Sequence, residues 1–417
     1  MKRMVATLAT LLGAAMLAGC GSGGGTEGST EEVSTITFST WQAEEPGYKE
    51  FWSAAKSKFE ADHPGVTLEI QQTAFKDYQQ TITTQLAANQ APDVMQLPSR
   101  FFPAFADKDF LASLQTEIEG TDIEANWPEA QQLMKWNDEY QGVLMQSYGY
   151  VMYYNEQMLA DAGVAVPTTW EEFQAAAATL TTGETFGVAM DTKQDPNIIL
   201  ELSWPATGAG IPYIKDGAYN VTSPEMVALA DQVRELSKLA PQGIASEQKR
   251  QYFVDGKAAM MFDGPFVVSL LDEAPEEIRS QFKVAPMPFA TSPGALSSSM
   301  HMPATAEGAK KELGWDFIEM LTTAEMQDLF VTEVGSPAPR NGAGADQLAD
   351  NPRLEVFTQV AGTSVDVVPD EAAIRLDYAT FTDAVGNAVS ELMSTDRPSA
   401  EIMADLQSTL ESKLPLE

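Results

Sequence analysis

The chain has 417 residues and a formal net charge of −35 at pH 7, because 60 acidic side chains outnumber 25 basic ones. A surface of this charge repels phosphate backbones and anionic lipids, which excludes nucleic acid as a partner. Cys20 is the one cysteine, so no disulfide forms within the chain, and the length predicts two domains.

The N-terminus has the pattern of a secretory signal. Two basic residues precede an uncharged apolar run, 5–17, which is too short to cross a bilayer as a helix. The residues that follow, Leu-Ala-Gly-Cys, resemble the bacterial lipobox, in which the cysteine is lipidated and becomes the new N-terminus. We therefore predict a signal peptide over 1–20, a lipid anchor on Cys20 and a flexible tether over 21–34. The alternative is a chance cysteine in an ordinary signal peptide.

Short apolar runs alternate with amphipathic helical segments along the rest of the chain, which is typical of an α/β fold. The pattern begins as strand, helix, strand, helix, strand, with strands over 34–40, 65–73 and 92–97. The first of these helices would bury Phe51 and Phe59 on one face. Such a unit predicts a mostly parallel sheet that is covered on both faces.

The middle of the chain indicates a change of domain. The segment 142–155 is strand-like but too long for one ordinary strand, and Gly149 interrupts it, so we expect it to leave one domain and enter another. Thr169 and Glu172 then form the capping-box pattern of a helix start. Further predicted elements are a helix from Pro224, strands over 257–266 and 282–289, and a last helix from Ser399.

Five stretches occur in an informative order and spacing: FEADHPGVTLEI, TTQLAANQAPDVMQL, YGYVMYYNEQMLADAGVAVPTTWEEFQAAAATL, FVDGKAAMMFDGPF and GWDFIEMLTTAEMQDLF. Together they resemble the extracellular solute-binding proteins of ABC importers, specifically the family that takes up sugars and oligosaccharides. The resemblance extends from about Ile36 to Leu410.

The resemblance implies an α/β, two-lobed periplasmic-binding-protein-like fold of type II, with the ligand cleft between lobes joined by crossing segments. Lobe one would take 35–147 and 294–342, and lobe two would take 150–288 and 348–417. The crossings would fall near 147–150, 289–296 and 340–350.

The implied protein is not an enzyme and has no cofactor and no metal. It is a monomer, lipid-anchored at the outer face of the cytoplasmic membrane, and the anchor is its one contact with the membrane. It captures a mono- or oligosaccharide by hinge closure and delivers it to the transmembrane subunits of an ABC permease.

A sugar site needs polar groups around the ring edge and aromatic rings against the C–H faces. The loop after the first strand carries Trp41, Glu44 and Glu45, which by resemblance contact sugar hydroxyls at a strand end where open α/β sheets bind ligands. Ser99 and Arg100 follow the third strand at the equivalent position. The alternative is that these side chains pack under the lobe edge or are solvated.

Further candidates lie along the rest of the chain. The resemblance makes Asp263 an acceptor and Phe266 a stacking ring, at the turn after the strand KAAMMF. The remaining candidate ligand-binding residues are Tyr150, Trp204, Met300, His301, Arg340 and Tyr378. A core position is the alternative for Trp204 and Tyr378, and a surface position is the alternative for Arg340. No second histidine or cysteine lies near His301 in sequence, so no metal site is predicted.

Three other functions stay open. A polysaccharide lyase or glycosidase needs two carboxylates across a bond, which abundant acids permit, but no nucleophile motif or metal-ligand cluster accompanies them. The same fold could bind a polyamine, a peptide, a metal chelate or an anion. A purely structural or adhesive role would show neither closure nor stabilisation by a ligand. The sequence does not identify the sugar, its length or its linkage.

Overall fold

A computed structural model describes residues 33–265, 267–361 and 363–416. The predicted signal peptide, Cys20 and most of the tether lie outside the described residues, as does Phe266. From Ser34 onward the chain forms one compact unit. No helix within the described ranges is long and apolar enough to cross a membrane.

The described residues form strands and helices in alternation. The strands are β1 Thr35–Thr40, β2 Thr67–Gln72, β3 Val94–Pro98, β4 Lys135–Trp136, β5 Glu139–Tyr140, β6 Val143–Gly149, β7 Val151–Asn155, β8 Phe186–Ala189, β9 Ile214–Lys215, β10 Ala218–Tyr219, β11 Ala258–Asp263, β12 Phe282–Pro286, β13 Pro293–His301 and β14 Val365–Asp366. The α-helices are α1 Tyr48–Asp62, α2 Phe75–Ala87, α3 Phe102–Ala106, α4 Gln115–Glu119, α5 Ile123–Asn126, α6 Glu156–Asp161, α7 Trp170–Leu180, α8 Leu200–Gly208, α9 Pro224–Ser237, α10 Ser246–Val254, α11 Val267–Asp272, α12 Glu276–Arg279, α13 Gly308–Thr322, α14 Ala324–Val334, α15 Ala345–Asp350, α16 Pro352–Ala361, α17 Ala372–Leu376, α18 Tyr378–Ser394 and α19 Ser399–Lys413. Short 3₁₀ helices cover Ser99–Phe101 and Glu129–Met134.

The first sheet has the strand order β14-β13-β3-β1-β2, with β6 also paired to β13. β1 is parallel to β2 and β3, whereas β13 is antiparallel to β3 and β6. Helix α1 buries Phe51 and Phe59, as its periodicity predicts, and the Phe38 ring of β1 lies 4.8 Å from that of Trp52. The predicted strand–helix–strand–helix–strand order is confirmed.

The second sheet has the strand order β12-β7-β11-β8, in which β11 is parallel to β8 and β7 is antiparallel to β11 and β12. Its core includes Tyr153 and Met261, and the stacked rings of Phe253 and Phe282 lie 4.7 Å apart. Each sheet thus supports its own lobe, and the fold is the expected two-lobed α/β architecture.

The two sheets are joined where β6 passes into β7, with Tyr150 alone between them, and again where β12 passes into β13. Helix α16 packs against both β6 and β12. A Cβ on Gly149 would lie 2.2 Å from Cγ1 of Val360 in that helix, so the close approach requires glycine there. The strand β14 pairs with the first sheet, although the sequence-based boundaries assign its residues to lobe two.

The predicted helix starts are formed by their expected side chains. The Thr169 hydroxyl accepts a hydrogen bond from the Glu172 backbone N–H at 3.2 Å. The Glu172 carboxylate accepts from the backbone N–H of Thr168 at 2.8 Å, one residue earlier than a standard capping box requires. Ser223 caps the helix that begins with Pro224.

Candidate ligand cleft between the lobes

A cavity of about 130 Å³ lies between the two lobes. The first lobe contributes residues that follow its parallel strands, and the second contributes helix and strand ends opposite them. The described lining residues are Trp41, Gln42, Glu45, Phe75, Pro98, Arg100, Tyr148, Tyr150, Asn197, Leu200, Trp204, Ser246, Lys249, Arg250 and Asp263. Placement at the carboxyl ends of strands is where open α/β sheets bind ligands.

In the first lobe, the wall begins with Trp41, directly after β1. Its ring makes edge contacts with Phe75 at 5.7 Å and with Tyr78 at 5.2 Å. The neighbouring Gln42 was not anticipated from the sequence. Its side-chain oxygen accepts a hydrogen bond from Gln96 of β3 at 2.7 Å, which fixes the amide at the cavity wall.

Arg100 follows β3 and lies among aromatic rings. Its guanidinium carbon lies 5.4 Å from the centroids of Phe75, Phe101 and Tyr378. The Arg100 Nε is buried and has no hydrogen-bond partner among the described residues. The rings therefore hold the guanidinium in place through cation–π contacts, without supplying acceptors for this N–H group.

The crossing segment and the second lobe supply an aromatic wall. The Tyr150 ring lies 5.4 Å from Tyr148 and 5.1 Å from Trp204, both edge to face. Burial raises the pKa of Tyr150 well above its ordinary value, so its hydroxyl stays protonated. Trp204 is 1% exposed, and its indole N–H has no hydrogen-bond partner among the described residues.

Beneath this wall lies a buried charge network that was not predicted from the sequence. Lys249 is 2% exposed, and its Nζ lies 3.2 Å from Asp191, 3.6 Å from Asp263 and 3.8 Å from Glu201. Arg250 makes two hydrogen bonds with the Asp263 carboxylate, at 2.9 and 3.2 Å. The one sequence signal was the Lys-Arg pair in α10.

The network controls the ionisation of its members. Burial lowers the pKa of Lys249, but the three carboxylates outweigh it and hold that pKa above the ordinary value. Burial raises the pKa of Asp263, but the cations Arg250 and Lys249 bring it below its usual range. Burial dominates for Glu201 and raises its pKa to about 8 despite Lys249.

Glu45 is the acidic residue that the first lobe contributes to the cavity lining. Burial raises the pKa of Glu45 to about 7, although Arg250 of the second lobe acts to lower it. At neutral pH this carboxyl group is therefore present in both protonation states. It can donate a hydrogen bond to a solute in one state and accept in the other.

The structure brings six of the predicted site residues together at the cavity: Trp41, Glu45, Arg100, Tyr150, Trp204 and Asp263. Tyr378 lies beside Arg100 and lines an adjoining cavity. The exposed Glu44 pairs with Lys49 at 2.8 Å. The ligand-binding role of all these residues stays a prediction.

Four other predicted residues are not among those lining the cavity. Ser99 is buried and donates a hydrogen bond from its hydroxyl to Ser299. Met300 and His301 are fully buried in β13, which pairs with β3 on one side and β6 on the other. Burial lowers the pKa of His301 to about 4. The partly buried Arg340 forms an ion pair with the exposed Asp122 at 2.5 Å.

The described residues contain no group of three or more His, Cys, Asp or Glu side chains arranged to hold a metal ion. The carboxylates of the buried network instead surround Lys249. The lysine ammonium group therefore supplies the positive charge at the centre of these three acids.

Comparison with known proteins finds similarity to bacterial solute-binding proteins. The family model for the bacterial extracellular solute-binding proteins matches residues 42–328. The diacetylchitobiose binding protein DasA of Streptomyces coelicolor is 25% identical over 359 residues, covering 81% of this chain and 79% of that protein. A putative binding protein of Brucella abortus is 22% identical over 358 residues, covering 82% of this chain and 84% of the relative.

Many solved structures share the fold, and two of them illustrate the similarity. The GacH receptor of Streptomyces glaucescens, solved unliganded and with acarbose, has a TM-score of 0.81 at 20% identity, covering 92% of this chain and 99% of that one. An ABC substrate-binding protein of Listeria monocytogenes in complex with cycloalternan has a TM-score of 0.79 at 20% identity. That match covers 93% of this chain and 100% of the other.

Proposed function

This chain belongs to the bacterial extracellular solute-binding proteins, and on that premise we propose that it captures a sugar or oligosaccharide in the cleft between its lobes. Closure of the lobes around the solute would create the form that docks on an ABC importer. The names of its relatives support this choice, because diacetylchitobiose, acarbose and cycloalternan are all carbohydrates.

The observation that carries the proposal is Trp204, which lines the cavity and has a buried indole N–H with no hydrogen-bond partner among the described residues. A buried donor without an acceptor costs about 1–3 kcal/mol, and a ligand hydroxyl would satisfy it. Trp41, Phe75 and Tyr150 add aromatic rings of the kind that pack against the C–H faces of a sugar. Donors and rings are thus combined in one small cavity, as a sugar requires.

We further propose that Cys20 carries a lipid anchor that holds the protein on the outer face of the cytoplasmic membrane. The support is the basic start, the short apolar run and the small residues before the cysteine. Replacing Cys20 with serine should move the protein from the membrane fraction to the medium. Retention of the C20S variant in the membrane fraction would contradict the anchor.

The sugar proposal is tested by a thermal-shift screen of the purified protein against mono- and oligosaccharides, with spermidine, peptides and Fe³⁺ as controls. A ligand at a hundred times its Kd adds about 2.7 kcal/mol to the free energy of unfolding, which corresponds to a rise of about one degree or more for a chain of this size. A shift with sugars is expected. A shift with a control compound and none with any sugar would refute the proposal.

A matched pair of variants locates the site. Phe75 lines the cleft and Phe186 packs at the edge of the second sheet, and both are half-buried phenylalanines. Phe75→Ala should weaken sugar binding about tenfold or more, whereas Phe186→Ala should leave it unchanged. Equal effects of the two substitutions would place binding elsewhere.

A further inference from the structure

The other cations at the cleft are matched by carboxylates of the protein itself. Arg250 is paired with Asp263 through two hydrogen bonds, and Lys249 has its nearest carboxylate, that of Asp191, at 3.2 Å. Charges that are taken out of water are stable when they are paired in this way. These cations therefore need no opposite charge from a solute.

Arg100 differs from them. Among the described residues it makes no ion pair with a carboxylate, and its Nε is buried without a hydrogen-bond partner. Its surroundings are the rings of Phe75, Phe101 and Tyr378, which stabilise a cation but accept no strong hydrogen bond. A planar guanidinium with unused N–H groups is a site for a planar, doubly accepting anion, above all a carboxylate.

The position of Arg100 also bears on the size of the solute. Together with Phe75 it lines the cleft and an adjoining cavity of about 310 Å³. That second cavity extends towards Gln194 of the second lobe and Tyr378 of α18. Its charged lining residues besides Arg100 are Lys76, Asp195 and Asp383. A solute group held at Arg100 therefore has space on two sides, which suits an internal unit of a chain better than a single sugar.

We propose that the solute is an acidic oligosaccharide, in which the carboxylate of a uronic acid unit accepts hydrogen bonds from Arg100 and the neighbouring units occupy the two cavities. This inference rests on the proposed function and narrows it to a substrate class. A neutral sugar would leave the guanidinium charge without a counter-charge, whereas a uronate supplies one with matching geometry.

The test compares matched acidic and neutral probes by calorimetry on the purified protein. Trigalacturonate is paired with galactotriose, and a glucuronic-acid-substituted xylotriose with xylotriose. Each acidic probe is expected to bind about ten- to a hundredfold more tightly than its neutral partner. Free glucuronate is expected to bind more weakly than the acidic trisaccharides. Raising the salt concentration should weaken binding of the acidic probes and leave the neutral ones unchanged.

Variants assign the preference to Arg100. Arg100→Gln should abolish the difference between acidic and neutral probes, because it removes the charge with which only the acidic probes pair. Arg100→Lys keeps the charge but cannot form two parallel hydrogen bonds with one carboxylate, so its preference for acidic over neutral probes should be intermediate. This variant provides the test if Arg100→Gln fails to fold. Arg279→Gln is the control, because the exposed Arg279 pairs with Glu276 and lines neither cavity.

The outcomes distinguish the preference for an acidic oligosaccharide from the proposed function, which is sugar binding in general. Neutral probes that bind as tightly as acidic ones would overturn the acidic assignment and leave sugar binding intact. An equal loss of both probe types in Arg100→Gln would have the same meaning, because Arg100 would then serve any sugar hydroxyl. Failure of the wild-type protein to bind any saccharide, acidic or neutral, would overturn the proposed function itself.

Discussion

Replacing Lys249 with methionine removes the cation of the buried network while keeping a side chain of similar length. Lys249 is 2% exposed, and the carboxylates of Asp191 and Glu201 around it are also buried. The substitution therefore leaves acids that water cannot reach. Glu201, with its pKa of about 8, already holds a proton most of the time at pH 7, so the cost falls mainly on Asp191.

Two physical limits set the size of this cost. At 3.2 Å and an effective dielectric constant of 20, the attraction between Lys249 and Asp191 is about 5 kcal/mol. Without the lysine, Asp191 can instead take up a proton. Holding it protonated at pH 7, against an ordinary pKa of 3.8, costs about 4 kcal/mol. Burial already raises the pKa of Asp191 in the wild type, so part of this cost is present before the substitution. Because the cheaper response prevails, we expect Lys249→Met to lower the free energy of unfolding by at most about 4 kcal/mol.

The proton-uptake argument also fixes how the loss depends on pH. The variant needs Asp191 protonated when folded and ionised when unfolded. The loss therefore grows as pH rises above 3.8, and at pH 5 it is at most about 1.6 kcal/mol. Urea unfolding followed by tryptophan fluorescence at pH 7 and pH 5 measures both values. The control is Lys238→Met, an exposed lysine paired with Glu235, which should change little. A loss below about 1 kcal/mol at pH 7, or an equal loss at both pH values, would refute the reasoning.

Three further predictions concern stability without ligand. Gly187→Ala should lower the free energy of unfolding in urea by about 1–3 kcal/mol or more, because the new Cβ would lie 1.9 Å from the Ala177 carbonyl oxygen. Gly183→Ala is the control, because its Cβ would meet nothing within 4 Å. An equal loss of stability in both variants would contradict the prediction. Glu45 has a raised pKa when folded, so wild-type stability falls as pH rises from about 4.5 to about 7. Glu45→Gln does not titrate, so its free energy of unfolding should rise relative to that of the wild type across this pH range, as measured by urea unfolding at several pH values. His301 has a lowered pKa when folded, so wild-type stability falls as pH drops from 6.5 to about 4, and His301→Gln should lose less stability over that range. For Glu45 and for His301, parallel stability profiles of the variant and the wild type across pH would contradict the pKa shift.

The fold was predictable because its elements depend on local patterns. The face of α1 that carries Phe51 and Phe59 was visible in the spacing of apolar residues, and the cap at Thr169 in the residue types of a helix start. The passage from one lobe to the other at 142–155 was visible because one strand rarely has that length. The pairing of β14 with β13 was not, since two residues carry no pattern of their own.

The cleft was only partly predictable, because burial of a polar side chain is a property of tertiary packing. Lys249 and Arg250 lie in a helix whose sequence is equally compatible with solvent exposure, and only the packing of α10 against β11 brings them to Asp263. Met300 and His301 failed to reach the cavity for the converse reason. They occupy a strand with neighbours on both sides, and its side chains are covered by the lobe itself.

The net charge of the chain and the charge of its cleft are separate properties. The overall charge of −35 acts through solvent, where salt near 0.1 M limits its reach to about 10 Å. It can keep extended polyanions from the surface, and that is the exclusion which composition supports. A small solute inside the cleft meets only the groups that line it, and among the described residues these include Arg100, Lys249 and Arg250 against Glu45 and Asp263. An acidic surface is therefore compatible with an acidic solute, because Arg100, which has no carboxylate partner among the described residues, lies where the solute would bind.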